Sequence, residues 1–325
     1  MPDLGVNYLG LKLKNPLIAG SSGLTSSIDR IKLLEQAGAG AVVLKSLFEE
    51  QINYEAGSMI QDQDYPEAED YIKNYTKAHS VDNYLDLIAG VKKSVDIPVI
   101  ASINCISASD WTGFSRMIEE AGADALELNV FFLPVDKQIP SVDYENIYCD
   151  LATRICKTIR IPVSVKLGSH FTNVLGVIDR LYARGVKGVV MFNRFYEPDI
   201  DIDTLRLTSA DIFSTAADLR HVLRWVALVH DKIQKVDISA STGVHSWEAV
   251  VKQLLAGAKT VQVCSMLYRK GTGEIGGLIR GLEEWMKNKG YDSIDQFRGK
   301  MSYRSITDPA AYERVQFMKY FSGVD

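Results

Sequence analysis

PVIASINCISASDWTGFSRMIEEAGADALELNV, residues 98–130, holds the unit from which the whole chain is built. It opens on a short apolar run, PVIASIN (98–104), and closes on a second, ALELNV (125–130). PVIASIN does not alternate polar with apolar residues, and both runs are predominantly apolar. Strands of that kind are buried on both faces, as in a parallel sheet covered by helices. Between them SASDWTGFSRMIEEAGA (107–123) has helical spacing and a glycine at its end, where helices commonly stop. Outward from this stretch the pattern recurs. PLIAG (16–20), AVVLKS (41–46), PVSVKLG (162–168), GVVMFNR (188–194), VDISASTG (236–243) and TVQVCS (260–265) read as further strands. SIDRIKLLEQAG, TNVLGVIDRLYARG and HSWEAVVKQLLAGA read as the helices between them. Eight strand–helix units in 325 residues predict an α/β fold, a (β/α)8 TIM barrel in one domain over residues 1–325. An open doubly wound sheet is the competitor, and its GxGxxG after the first strand is missing.

Three segments fall outside the rhythm. Val6, Tyr8, Leu9, Leu11 and Leu13 predict an N-terminal β-hairpin that plugs one barrel mouth. Residues 47–76 carry Glu49, Glu50, Glu55, Asp62, Asp64, Glu67, Glu69 and Asp70 with no Lys or Arg before Lys73, and read as an inserted lid or interface loop. Residues 291–325 read as a C-terminal extension packed on the barrel exterior.

A net charge of -5 without a basic stripe excludes a nucleic-acid binder. No signal peptide and no stretch long and apolar enough for a membrane span is present, so a cytoplasmic protein is expected. Cys105, Cys149, Cys156 and Cys264 form no CxxC and are expected to be reduced, with no metal site. Cys149 and Cys156 share a helix face and are read as packing thiols.

In a barrel of this kind the chemistry lies where strands end. Those ends carry Gly20-Ser21, Lys45-Ser46, Asn104-Cys105, Asn129, Lys166, Asn193-Arg194, Thr242-Gly243 and Cys264-Ser265. Small residues after the last two strands let backbone N–H groups approach a phosphate. With Lys166 and the amides across the mouth, this set suits a flavin mononucleotide (FMN), whose reduced ring a lysine would stabilise. The plainer role for either lysine is to pair with a carboxylate such as Glu127.

LGLKLKNPLIAGSSG, VLKS, ELN, VKL, MFNR, ASTGV and VQVCSML, in that order, make the chain similar to the dihydroorotate dehydrogenases, the soluble class 1 enzymes above all. That resemblance implies FMN contacts at Ala19, Gly20, Lys45, Ser46, Ser102, Asn104, Asn129, Lys166, Asn193, Thr242, Gly243, Cys264 and Ser265. Lys45, Asn129 and Asn193 would also orient the substrate. It implies hydride transfer to flavin N5 from a CH–CH bond of dihydroorotate or a related dihydropyrimidine-like ring. A homodimer, a soluble electron acceptor or partner subunit, and no membrane anchor are further expectations. After ELN, however, the family has a polar loop with a Ser or Cys base. Here Phe131 replaces its first Ser and Phe132 stands at the base position. Cys105, Asp136 and His170 are the candidates for a relocated base. Two alternatives remain open: a Schiff-base lyase using Lys166, and a flavin-binding relative that has lost dihydroorotate oxidation.

Overall fold

The computed structural model describes residues 1–48, 66–104, 111–195 and 197–314, the side chains of 66–78 excepted. The strands are β1 (Val6–Tyr8), β2 (Leu11–Leu13), β3 (Leu17–Ala19), β4 (Ala41–Val43), β5 (Leu47–Phe48), β6 (Val99–Asn104), β7 (Ala125–Asn129), β8 (Val163–Leu167), β9 (Gly188–Met191), β10 (Pro198–Asp201), β11 (Arg206–Ser209), β12 (Asp237–Ser241) and β13 (Thr260–Val263). The helices are α1 (Ile28–Gln36), α2 (Pro66–Lys92), α3 (Trp111–Glu120), α4 (Ser141–Thr158), α5 (Val174–Ala183), α6 (Leu219–Lys232), α7 (Trp247–Ala256), α8 (Ser265–Lys270), α9 (Glu274–Lys289) and α10 (Ala310–Glu313).

The eight apolar runs become the parallel strands β3, β4, β6, β7, β8, β9, β12 and β13. The sheet closes on itself because β4 pairs with both β3 and β6, Val42 facing Val99. Every residue of β7 and β8 is buried, as expected when side chains fill the barrel on one face and meet helices on the other. The fold is the (β/α)8 barrel that the strand pattern predicts. Short β5 adds to β6 at the mouth.

The hairpin β1–β2 closes the opposite end. Its two turn residues, Leu9 and Gly10, both have positive φ (55° and 80°), the mirror-image turn that matches the twist of a two-residue hairpin. Tyr8, Leu9 and Leu13 join Ile18, Val43, Ile100 and Ala125 in a core inside the barrel. The Leu9 N–H donates to Asp237 Oδ2 (2.7 Å), at the start of β12, so the plug sits at the N-terminal ends of the strands.

The insertion is shorter than the sequence suggests. Helix α2 already begins at Pro66, a residue whose fixed φ suits a first helical turn. The expected lid or interface role falls on residues 49–65, outside the described residues. A second hairpin, β10–β11, rises after β9 and was not expected, because its exposed residues lack any buried face to give a pattern. Residues 291–314 of the expected C-terminal extension pack against α7 and α9. Phe297 is fully buried against Trp285 and Tyr291, and the Gly299 and Met301 N–H groups donate to carbonyls of Leu254 and Leu255. Residues 315–325 lie outside the described residues. No helix among the described residues is long and apolar enough to cross a membrane.

Candidate active site

Two adjoining cavities, of about 590 and 310 Å3, open at the C-terminal ends of the strands and share Lys166, Asn193 and Ser21. Strand register brings their residues together. Asn129 ends β7 directly beside Lys166 on β8. Asn193 follows β9, and its Nδ2 donates to Asn129 Oδ1 at 2.7 Å, so each amide fixes the other's orientation. Gly20, Thr242, Gly243, Cys264 and Ser265 line the larger cavity. Lys45, Ser46, Asn104 and Asn129 line the smaller. Ala19 and Ser102 do not reach either surface; both are buried behind it.

The end of the larger cavity at β12 and β13 has the shape of an anion cradle. Thr242 and Gly243 both have positive φ (80° and 81°). A Cβ on Gly243 would lie 2.2 Å from the Leu219 nitrogen, so only glycine lets these two segments meet. The Gly243 N–H points to Ser214 Oγ (3.4 Å), while the Ser214 N–H donates to Ser265 Oγ (3.1 Å) and Ser214 Oγ lies 3.1 Å from His245 Nε2. Burial holds His245 below the usual imidazole range, with Arg269 adding to the effect. Serine and threonine hydroxyls and a glycine backbone here, with amides and a lysine at the other end, fit an FMN in donor chemistry and in size. Ser214 and His245 escape the strand-end reading because neither stands at a strand end.

Beneath the mouth lies a charged triad. Lys166 Nζ is 3.9 Å from Glu127 Oε1 and 3.5 Å from Gln262 Oε1, and Gln262 Nε2 donates to Glu127 Oε2 at 2.7 Å. Burial pushes the Glu127 carboxyl above the ordinary carboxylate range, with Lys166 and Gln262 pulling the other way. The pairing of lysine with Glu127 is therefore present, and it coexists with a place for Lys166 in both cavities. Gln262 went unremarked in the sequence, although a polar residue inside TVQV is the signal that could have found it. A line of hydroxyls runs inward nearby: Ser21 Oγ to Ser46 Oγ at 3.1 Å, then Ser46 Oγ to Ser102 Oγ at 2.7 Å.

The two phenylalanines after Asn129 part company. Phe131 lines the smaller cavity and stacks on Phe195, ring centroids 3.6 Å apart. Phe132 turns away from it, its N–H donating to Tyr148 Oη (3.2 Å) and its ring set edge-on to Tyr148. Of the base candidates, Asp136 is exposed, and its Oδ1 accepts from the Gln138 N–H at 2.9 Å. His170 stacks on Phe171 outside the two cavities, with burial lowering its pKa. Cys105 lies outside the described residues. Among those that are described, no cluster of metal-ligating side chains occurs.

Comparison with known proteins gives the chain its relatives. The chain is 29% identical over 304 residues to the dihydroorotate dehydrogenase B (NAD(+)) catalytic subunit of Methanosarcina mazei, covering 89% of this chain and 92% of that one. It is 27% identical over 312 residues to the protein of the same name from Thermoplasma acidophilum, covering 92% and 99%. The NAD-dependent dihydropyrimidine dehydrogenase subunit PreA of Escherichia coli is 22% identical over 323 residues, covering 91% of this chain and 76% of that one. The family model described as dihydroorotate dehydrogenase matches residues 3–286, and the chain belongs to that family.

Proposed function

We propose that the protein is an FMN-dependent oxidoreductase that oxidises a CH–CH bond of dihydroorotate or a related dihydropyrimidine-like ring. The carrying observation is the Asn129–Asn193 amide pair beside Lys166, with Lys166 and Asn193 shared by the two cavities and the Gly243 cradle lining the larger one. Gly20, Lys45, Ser46, Asn104, Lys166, Thr242, Gly243, Cys264 and Ser265 would hold the flavin, which supplies hydride acceptance. Ser102 would act from behind Ser46, and Ala19 through the backbone beside Gly20.

The chain's own residues account for the rest. Asn129 and Asn193 present fixed amide edges that match the carbonyl and N–H groups of a cyclic ureide. Lys166 places positive charge where negative charge arrives, the usual way a site lowers such a barrier. Phe131 and Phe195 form an apolar wall suited to a flat ring. Lys45 is exposed at the rim of the smaller cavity and can meet a substrate carboxylate. The names of the relatives, catalytic subunits and an NAD-dependent dehydrogenase subunit, support a partner subunit or soluble acceptor that takes the electrons onward. We place the protein in the cytoplasm as a homodimer, on the class 1 resemblance.

The carboxylate beside Lys166 offers an ion pair, not the apolar or cationic surroundings that activate a lysine nucleophile, which weighs against a Schiff-base lyase. Anaerobic titration with dihydroorotate and with dihydrouracil, following the visible flavin absorbance, tests the proposal. Bleaching by either ring supports it. A yellow protein that neither ring bleaches points to the relative that has lost this oxidation. A colourless protein with a borohydride-trapped adduct on Lys166 sinks it.

A further inference from the structure

The β10–β11 hairpin pairs with no other strand among the described residues, and a lone two-stranded ribbon is marginal in water. Its register sorts its side chains. Ile200 faces Leu207, while Asp199 faces Thr208 and Asp201 faces Arg206. Side chains alternate along a strand, so the aliphatic pair stands on one side of the ribbon and the polar pairs on the other. Ile202 and Leu205 carry the apolar set into the turn, two steps on from Ile200 and two before Leu207. Ile200, Leu207, Ile202 and Leu205 are 62%, 76%, 80% and 84% exposed. At these exposures they offer on the order of 600 Å2, most of the ~800 Å2 that each partner gives to a standard interface. An apolar patch of that size marks a binding surface.

Charge and shape narrow the occupant. Residues 197–211 carry Glu197, Asp199, Asp201, Asp203 and Asp211 against Arg206 alone, which an anionic membrane surface would repel. The apolar side takes two residues from each arm of the hairpin, so a copy turned by a half-rotation meets aliphatic side chains with the same aliphatic side chains. Asp199 and Asp201 then stay on the outer side in water, and neither carboxylate is buried by the contact.

We propose that the apolar side of this hairpin packs against the same side of a second copy of the chain, and that the contact steadies the wall of the larger cavity. The inference rests on the homodimer and flavin readings above. Arg194 is the mechanical link. Its Nη2 donates to the Asp211 carbonyl at 2.6 Å, and its Nη1 lies 3.5 Å from Oδ2 of Asp218, the residue before α6. Ser209, Ala210, Asp211, Ile212 and Phe213, at the foot of the hairpin, line that cavity together with Gly243. What holds the hairpin therefore holds the wall that faces the cradle.

Light scattering on the purified protein should give the mass of two chains. Ile200→Asp combined with Leu207→Asp should give the mass of one, with an unchanged far-ultraviolet circular dichroism spectrum. Two chains in both overturn this interface and leave the homodimer reading standing; one chain in the unaltered protein overturns both. Leu205→p-benzoylphenylalanine guards against a misfolded double variant. On illumination it should join two chains covalently, and a dimer that it fails to join overturns the interface. Flavin content after dialysis tests the second part. The one-chain variant should retain several-fold less flavin than the unaltered protein; equal retention overturns the steadying of the wall. An unaltered protein that holds no flavin overturns the flavin reading instead, while the interface is still decided by the masses.

Discussion

Lys166 is the residue whose loss should separate binding from chemistry. Lys166→Met keeps the length of the side chain and removes its charge, and it leaves Glu127 buried with Gln262 alone. We expect the flavin to remain bound and substrate bleaching to slow by about 100-fold or more, as when one fixed electrostatic donor is removed from other sites. Stopped-flow bleaching beside the flavin content of the purified variant checks this; an unchanged rate would refute it. Phe131 makes a different contribution. Phe131→Ser should raise KM for an uncharged ring while leaving kcat within a few-fold, because a flat wall binds substrate and transition state alike. At this scale the sequence was only partly legible. Asn129, Lys166 and Asn193 announced themselves as polar residues at the ends of apolar runs. Phe132 misled, because counting along a loop assumes that each residue faces the cavity, and its N–H instead bonds to Tyr148.

Among the elements, the β1–β2 hairpin gives the sharpest energetic contrast. The Tyr8 ring is fully buried, and its hydroxyl faces Ser164 and Ser239 too loosely to complete a hydrogen bond. Removing an unpartnered buried hydroxyl costs little, so Tyr8→Phe should leave stability within about 1 kcal/mol or raise it. Tyr8→Ala opens a cavity inside the barrel and should cost about 3–5 kcal/mol. Urea melts of the two variants decide the matter; equal losses would mean that the hydroxyl, not the ring, holds the plug. At the other mouth Gly243→Ala should abolish flavin retention, since its Cβ would collide with the start of α6. The barrel strands were legible because burial on both faces leaves unbroken apolar runs. The β10–β11 hairpin was not, because its exposed strands owe their pairing to each other alone.

For the molecule as a whole, His170, His221, His230 and His245 all have pKa values lowered, in each case first by burial. The unfolded chain therefore takes up these protons first. Their contribution to stability is complete above about pH 6.5 and is lost as pH falls through the lowered folded values. Glu127 acts with the opposite sign, since its raised carboxyl contributes stability below the ordinary carboxylate range that is lost as pH rises. In Glu127→Gln that opposing effect is gone. The variant should melt at a lower temperature at pH 5.5 than at pH 7.5, and calorimetry showing the reverse would overturn this account. The plug has one more consequence, concerning the making of the chain. Leu9 is bonded to Asp237, 228 positions later. At about 5–20 residues per second of synthesis, Tyr8 and Leu9 emerge roughly 10–45 s before the strand that receives them. The plug's apolar residues thus wait for their place until β12 has been made, and the long sequence separation of this contact makes the closing of the plug a late event.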